Sequence, residues 1–311
     1  MADLGPAGLW LAQLDTVPWS RGREIAQELE AIGYGALWFP EAVGRDALVA
    51  STLLLAATDR IVAATGIVPL YARDPLSLNS GWRTIEAAFP GRFVLGIGVS
   101  HKPMVEGLHG ESYGPPIATM RGYLEGMDAA PYFGWQPETP PRRVLAALGP
   151  KMLALAAEKT DGAHPYNVTP EHTALAREVL GPGKLLAVEQ KAVLSTDVTD
   201  ARDTARKALA VYLGLPNYTN NWRRLGFSDV DLADGGSDRL LDAMVVHGDE
   251  AAIAARAQAH RDAGADHVCI QVLPVVGGRG AIPLEEWRRL APALTGDNSR
   301  RKASEDRTGE R

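Results

Sequence analysis

The chain contains a single cysteine, Cys269, among its 311 residues. One cysteine cannot form an intrachain disulfide, so the sequence predicts a protein of a reducing compartment. Cys269 lies in the apolar run HVCIQVL, which predicts a small buried hydrophobic side chain. The cysteine content therefore offers no sign of a disulfide scaffold.

Long apolar runs and basic clusters are also missing. The longest apolar run, ALVASTLLLAA at 47–57, is too short to span a bilayer, and the N-terminus lacks a basic region followed by an apolar one. The formal net charge is −6, and no Lys/Arg cluster lies among aromatic residues, which argues against nucleic acid or a membrane as a partner. We therefore expect a cytoplasmic protein with a small-molecule substrate.

The spacing that metal ligands require is absent as well. The seven histidines form no i, i+4 pair on a helix, no His-x-His pair on a strand and no pair with cysteine. We predict no metal site, and we expect surface or structural roles for His109, His172, His247 and His260.

Apolar runs do alternate with helical periodicities from one end of the chain to the other. The predicted strands are 8–14, 36–39, 60–68, 93–98, 143–148, 162–166, 184–195 and 267–273. The predicted helices are 23–32, 47–59, 76–88, 151–159, 170–180, 200–212 and 249–263, with a last helix from about 283. Strict alternation predicts an α/β fold with a parallel sheet, because parallel neighbours need a crossover helix.

Eight such units favour a (β/α)8 TIM barrel over an open doubly wound sheet, which usually has about six strands. We predict a single barrel domain over residues 1–294 and a disordered charged tail over 295–311, where apolar periodicity is absent. Insertions are predicted after strands 4 and 7, at 98–142, with a helix at 116–129, and at 213–247, which looks irregular. In a barrel both lie at the C-terminal face of the strands, where active sites are built.

The stretch LGIGVSH at 95–101 approaches two glycine motifs and completes neither. The dinucleotide motif G-x-G-x-x-G would have its third glycine at His101, and Lys102-Pro103 follows in place of a helix start. The nucleophile motif G-x-S-x-G would end at Lys102. We predict instead that Gly96 and Gly98 let a strand end bend where other backbone approaches closely.

Two ionisable residues follow predicted strands closely enough to reach the barrel mouth. His101 comes shortly after the fourth strand and either faces the pocket as a proton-transfer group or lies at the surface. Glu41 comes just after the second strand and either orients a ligand or caps a helix. The turn Leu148-Gly149-Pro150-Lys151 opens a helix, whose free amides and dipole, with the lysine, suit an anion such as phosphate.

Three segments in this order, ATGIVPLYARDP, GRFVLGIGVSH and ALGPKMLALAAEKTDGAH, resemble the bacterial luciferase-like family, in particular its coenzyme F420-dependent oxidoreductases. The resemblance covers roughly residues 5–295. It implies a TIM barrel, commonly a homodimer, that binds a flavin or the 5-deazaflavin F420 at its C-terminal mouth and moves a hydride.

The resemblance also implies site residues. It implies a cis peptide between Gly66 and Ile67 against the coenzyme ring, a phosphate-binding turn at Leu148, Gly149, Pro150 and Lys151, and a coenzyme contact from Glu41. Sugar-phosphate dehydrogenases of the family have a histidine where this chain has Ala42, and a glutamate where it has His101, so the histidine is relocated. Asn217, Tyr218 and Asn221 are candidate substrate contacts.

Three functional hypotheses remain open at this stage. The first is hydride transfer between F420 and a small organic substrate, with His101 supplying or removing the proton and Glu41 contacting the coenzyme. The second is an FMN-dependent luciferase-like monooxygenase on the same barrel. The third is a non-catalytic coenzyme-binding protein, suggested by the missing histidine at Ala42.

Overall fold

The structure, a computed structural model, describes residues 3–278 and 280–296. Its strands are β1 (Ala7–Trp10), β2 (Ala36–Phe39), β3 (Val62–Thr65), β4 (Val68–Pro69), β5 (Phe93–Gly98), β6 (Arg142–Leu145), β7 (Gly162–Ala163), β8 (Leu185–Val193), β9 (Val245–His247) and β10 (His267–Val272). Within the described residues, eight of them close a parallel barrel in the order β1-β2-β3-β5-β6-β7-β8-β10, with β10 pairing back to β1. The predicted (β/α)8 barrel is confirmed, and each predicted run overlaps one barrel strand.

The two short strands β4 and β9 extend the barrel wall at its C-terminal end. β4 follows β3 after a two-residue break and pairs with the end of β5. β9 pairs with the last residues of β8, on the edge opposite to β10. Both strands raise the wall around the mouth of the barrel.

Helices lie between successive barrel strands, and the last helix follows β10. They are α1 (Trp19–Ala31), α2 (Ala47–Ala57), α3 (Pro75–Ala88), α4 (Lys102–Met104), α5 (Pro116–Ala129), α6 (Pro150–Lys159), α7 (Pro170–Leu180), α8 (Val198–Leu213), α9 (Pro216–Arg224), α10 (Asp229–Leu232), α11 (Asp238–Met244), α12 (Glu250–Asp262) and α13 (Leu284–Thr295). Short 3-10 turns occupy Gln13–Thr16 and Leu70–Ala72, and a π-helical turn occupies Val105–His109.

Successive side chains of a strand point to opposite faces, and here the two faces form separate hydrophobic layers. Leu37 and Phe39 of β2 pack outward with Ile25 and Leu29 of α1. Trp38 of β2 points inward and packs in a cluster dominated by small and β-branched residues of the other strands. The barrel interior is thus filled with side chains below the mouth.

Gly96 and Gly98 occupy tight places in β5. A Cβ on Gly96 would lie 2.0 Å from the carbonyl oxygen of Thr65 in β3. A Cβ on Gly98 would lie 2.6 Å from Cδ1 of Ile67. The expectation that other backbone approaches this strand closely is confirmed at Gly96, whereas at Gly98 the neighbour is a side chain.

Two local expectations are wrong. A short helix, α4, does start at Lys102, because Pro103 stands in its first turn, where its missing N–H costs nothing. The segment 213–247 is not irregular but contains α9, α10 and α11. The side chains of Ser228 and Ser237 cap the N-termini of α10 and α11 and stabilise these helices of one or two turns. Helices this short do not show a recognisable apolar periodicity in the sequence.

Cys269 is buried and unpaired, as expected, and its Sγ lies 3.3 Å from the carbonyl oxygen of Val188. Among residues 3–278 and 280–296, every helix is too short or too polar to cross a bilayer. The predicted disordered tail lies outside the described residues from position 297 onward.

Candidate active site

A cavity of about 490 Å³ opens at the C-terminal end of the barrel strands. Ile67, His101, Leu148 and Tyr166 line it and follow strands β3, β5, β6 and β7 in turn. Side chains of α5 and α9 complete the wall. The cavity is therefore built where barrel enzymes place their chemistry.

The peptide bond between Gly66 and Ile67 is cis, as the family resemblance implied. Strand β2 and the residues after it hold this bond, because Gly66 N–H donates to Phe39 O at 2.7 Å and Glu41 N–H donates to Ile67 O at 3.1 Å. The Ile67 side chain then packs over Gly98 at the end of β5. These contacts fix Ile67 in the cavity wall.

His101 lines the cavity, which decides between the two positions that the sequence left open. Burial lowers the pKa of His101 below its usual range, and a hydrogen bond with the Asn217 side chain opposes the shift. The ring of Tyr218 lies 5.8 Å from the His101 ring, centroid to centroid. His101 is thus a neutral imidazole at neutral pH, held against two residues of α9.

Helix α9 carries Tyr218 beside His101 and, about 9 Å further along its axis, Arg224 beside Gly149, so it joins two ends of the cavity wall. Leu148, Gly149, Pro150 and Lys151 line the second end. Gly149 is the N-cap of α6, and no side chain caps the first turn of that helix. Arg224 reaches this end from α9, since its Nη2 lies 3.4 Å from where a Cβ on Gly149 would be. Of the described residues that line the cavity, none is acidic. Two cations and a helix N-terminus give this end a positive electrostatic potential.

The segment that carries Arg224 is anchored to the barrel by buried contacts. Trp222 is fully buried, and its Nε1 donates to Asn167 O at 3.1 Å. Asn221 is also buried and lies outside the cavity lining, and its Oδ1 accepts from Arg224 Nη2 at 3.3 Å. The structure thus places the substrate candidates Asn217 and Tyr218 in the cavity wall and Asn221 behind it.

Glu41 lies outside the cavity lining. Arg73 binds both of its carboxylate oxygens, at 2.6 and 2.5 Å, and the two side chains are only 14% and 11% exposed. Asp46, the N-cap of α2, is a second partner of the same guanidinium. The Glu41 carboxylate therefore braces the segments after β2 and β4, while its backbone N–H supports Ile67.

Two residues of the cavity wall after β7 were not predicted from the sequence. His164 is fully buried, its ring stacks on Trp38 at 4.3 Å, and its Nδ1 donates to Ala187 O at 2.9 Å. Burial lowers the pKa of His164 to about 4, so it is neutral. The hydroxyl of Tyr166 donates to Gln271 Oε1 at 2.8 Å. Their position at the end of the sixth predicted strand was the available signal.

Behind Tyr166 lies a buried ion pair. Lys191 Nζ is 3.1 Å from Glu189 Oε1, and both side chains are at most 1% exposed. The same ammonium lies 3.7 Å from the centre of the Tyr166 ring, a cation–π contact. Charge is thus present beneath the wall, but Tyr166 separates it from the cavity.

In the part of the chain that the structure describes, no three histidine, cysteine or acidic side chains come together as a metal site. His172 and His260 are buried and bound to other groups: His172 Nε2 lies 2.8 Å from Leu148 O and His260 Nε2 lies 2.9 Å from Gln190 Oε1. Both have the structural contacts that the sequence predicted.

Comparison with known proteins identifies the family of the chain. Residues 5–267 match the sequence model of the family described as luciferase-like monooxygenase. A protein of Mycobacterium tuberculosis whose name is that of a coenzyme F420-dependent oxidoreductase is 27% identical over 304 aligned residues, which cover 78% of this chain and 86% of that protein.

Solved structures share the fold at low sequence identity. An F420-dependent secondary alcohol dehydrogenase with an F420–acetone adduct has a TM-score of 0.70 at 15% identity, covering 93% of this chain and 99% of its own. The coenzyme F420-dependent tetrahydromethanopterin reductase of Methanopyrus kandleri has a TM-score of 0.71 at 17% identity, covering 94% and 98%. The oxygenating constituent of 3,6-diketocamphane monooxygenase from Pseudomonas putida, in complex with FMN, has a TM-score of 0.67 at 13% identity, covering 94% and 98%.

Proposed function

The chain belongs to the luciferase-like monooxygenase family, and on that basis we propose that it is an oxidoreductase that transfers a hydride between coenzyme F420 and a small organic substrate. The mycobacterial relative supports F420 as the coenzyme. The F420-dependent dehydrogenase and reductase with the same fold agree with this choice.

The observation that carries the proposal is the division of the cavity into two chemically different ends. The turn from Leu148 to Lys151, with Arg224, suits the phosphate of the coenzyme, because amides of a helix N-terminus and two cations face it. Another part of the cavity wall is neutral and partly aromatic and contains Ile67, His164 and Tyr166. That lining suits an uncharged planar ring.

Bound F420 supplies the hydride chemistry, and the protein supplies position and a proton acceptor or donor. His101 is the proton-transfer group, since it lines the cavity and carries an imidazole whose neutral form dominates at neutral pH. Ile67 positions the ring, because backbone bonds from the β2 side fix it in the wall. Glu41 acts through its backbone N–H to Ile67, and its carboxylate acts as a brace for Arg73.

The alternative is an FMN-dependent monooxygenase, which the FMN-bound neighbour supports. FMN also carries a phosphate and a planar ring, so the two ends of the cavity suit it as well. A non-catalytic coenzyme-binding protein, the third hypothesis, is disfavoured by the presence of His101 in the cavity wall.

Titration of the purified protein with F420 and with FMN tests the proposal. We expect F420 to bind more tightly than FMN, and reduced FMN to cause no consumption of oxygen. Tight FMN binding without F420 binding would overturn the proposal, and oxygen consumption with reduced FMN would establish the alternative. The homodimer and the cytoplasmic location stay predictions, and light scattering measures the first.

A further inference from the structure

A buried histidine behind the cavity wall is bonded to the turn that forms the charged end. His172 lies in the first turn of α7, which packs against α6, and is only 2% exposed. It does not line the cavity, but its Nε2 lies 2.8 Å from the carbonyl oxygen of Leu148, a residue that does. Since a carbonyl oxygen can only accept, Nε2 carries the proton and donates. Burial lowers the pKa of His172, so the ring is neutral at neutral pH.

This hydrogen bond fixes the direction of the peptide group between Leu148 and Gly149. The Leu148 oxygen points to His172, behind the wall. The peptide is trans, and in a trans peptide the carbonyl oxygen and the amide hydrogen point in opposite directions. The Gly149 N–H therefore points away from His172, to the side where Gly149 lines the cavity. Among residues 3–278 and 280–296 this N–H has no acceptor, so it is available to a ligand.

Glycine at position 149 allows this peptide to turn over. The φ angle of Gly149 is −88°. Rotation of the peptide by half a turn would bring φ to about +90°, which glycine adopts at little cost. The rotated peptide would direct the Leu148 oxygen, with its partial negative charge, into the cavity and remove the Gly149 N–H from it. The bond from His172 opposes this rotation, because the rotation would break it.

We propose that His172 is a positioning residue of the charged end, which keeps the Gly149 N–H directed at the phosphate of the bound coenzyme. The inference rests on the proposed function and adds one backbone donor and one positioning residue to its phosphate site. Arg224 reaches the same place, since its Nη2 lies 3.4 Å from where a Cβ on Gly149 would be. The backbone donor and the guanidinium thus serve one anion together.

His260 shows what a buried histidine without this role looks like. It is also fully buried, and burial lowers its pKa to about 3, so it is neutral. Its Nδ1 lies 2.8 Å from the Thr173 hydroxyl and its Nε2 lies 2.9 Å from Gln190 Oε1. Neither partner lines the cavity. Loss of the His260 imidazole is therefore expected to affect the stability of the fold and not the affinity for an anion.

The test compares His172→Leu, which removes the donor, with His172→Gln, whose side-chain amide can donate to the same carbonyl. In His172→Leu we expect the F420 dissociation constant to rise about tenfold, because one hydrogen bond to a charged group is lost. The affinity for the deazaflavin core without its phosphate is expected to stay within about twofold of wild type. In His172→Gln, and in the control His260→Leu, we expect F420 affinity within about threefold of wild type. Thermal unfolding shows that each variant is folded.

A second variant tests the direction of the peptide itself. Alanine disfavours positive φ, so Gly149→Ala added to His172→Leu is expected to oppose the rotation and to bind F420 more tightly than His172→Leu alone. The added Cβ would meet only the end of the flexible Arg224 side chain, at 3.4 Å. Equal F420 affinity in wild type and His172→Leu would overturn the proposal. So would a double variant that binds no better than His172→Leu, or an equal loss for F420 and for the phosphate-free core.

Inorganic phosphate provides a readout that needs no coenzyme. In protein labelled with 15N-glycine, we expect phosphate to shift the amide resonance of Gly149 in wild type and His172→Gln and to leave it in place in His172→Leu. The Gly149→Ala protein identifies that resonance by its absence. A shift of equal size in His172→Leu would overturn the role of His172. Failure of wild type to bind F420 would instead overturn the proposed function, while the phosphate titration would still measure the effect of His172.

Discussion

The two ends of the cavity are built from opposite kinds of chemistry. At one end, a helix N-terminus and the exposed cations Lys151 and Arg224 form a charged surface without an acidic neighbour in the lining. At the other, the largely buried His101 and Tyr218 are neutral groups. Exposed charges attract a ligand by an electrostatic interaction that salt screens. A buried neutral histidine, by contrast, can take up or release a proton, so its contribution depends on pH.

Because of this difference, we expect coenzyme binding to depend on the charged end of the cavity and turnover to depend on the neutral end. Changes at the charged end are expected to alter coenzyme affinity and its dependence on salt. Changes at the neutral end are expected to alter turnover and its dependence on pH. The segment 216–224 contributes to both, since Asn217 and Tyr218 lie near its start and Arg224 is its last residue.

The largest effect is expected for His101→Ala. Loss of the proton acceptor is expected to lower kcat by about 10²- to 10⁴-fold, the usual range for general acid–base catalysis, with little change in the F420 dissociation constant. Steady-state rates and an F420 titration measure the two quantities. His109→Ala, which changes a histidine outside the cavity lining, is the control and is expected to behave as wild type. Unchanged turnover in His101→Ala would remove His101 from the mechanism.

Glu41→Gln tests whether the Glu41 carboxylate belongs to either end. Because Arg73 and Glu41 are 14% and 11% exposed, loss of the charge is expected to lower the free energy of unfolding by about 2 kcal/mol, between the values for surface and buried pairs. Chemical denaturation measures this change. Glu106→Gln, which removes an exposed partner of Lys102, is expected to cost less than about 0.5 kcal/mol. A stable Glu41→Gln protein that no longer binds F420 would restore the predicted coenzyme contact.

Arg224→Ala tests the charged end. We expect an approximately tenfold weaker F420 complex, equivalent to about 1.4 kcal/mol, with kcat unchanged. The loss should shrink as salt is added, because Arg224 is exposed, and it should vanish for the deazaflavin core without its phosphate. Arg223→Ala is the matched control, since Arg223 binds Asp229 and lies outside the lining. An equal loss in both variants would contradict a specific role for Arg224.

The barrel was predictable because its signals are local and repeated. The run 36–39 coincides with β2, and the pattern at 116–129 coincides with α5, since apolar runs and helical periods there agree with the tertiary structure. His101 and the turn at 148–151 were found through their place after predicted strands. Position along the chain is sufficient when the C-terminal ends of the strands all meet at one face.

Contacts between distant segments were not predictable in the same way. The ion pair of Glu41 and Arg73 joins residues 32 positions apart, and the sequence around each residue does not indicate which residue it binds. Arg224 comes to Gly149 only because a helix of nine mostly polar residues carries it there, and so few apolar residues did not predict a helix from the sequence. The cavity lining was therefore predicted best where it follows strands and least where α9 supplies it.

The smallest effect is expected for Asn217→Ala, and it concerns pH. Burial lowers the pKa of His101, so oxidation of the substrate by F420, which needs the neutral ring as proton acceptor, should rise with pH through a midpoint below the ordinary histidine value of 6.5 and level off near neutrality. The hydrogen bond with Asn217 raises that pKa, so its removal should move the midpoint to still lower pH. The pH profile of kcat/KM measures the shift, with Asn220→Ala as a control from the same helix, because Asn220 has no such effect on His101. A midpoint that moves to higher pH in Asn217→Ala would mean that Asn217 does not stabilise the protonated form of His101, and the effect assigned to this hydrogen bond would then be wrong.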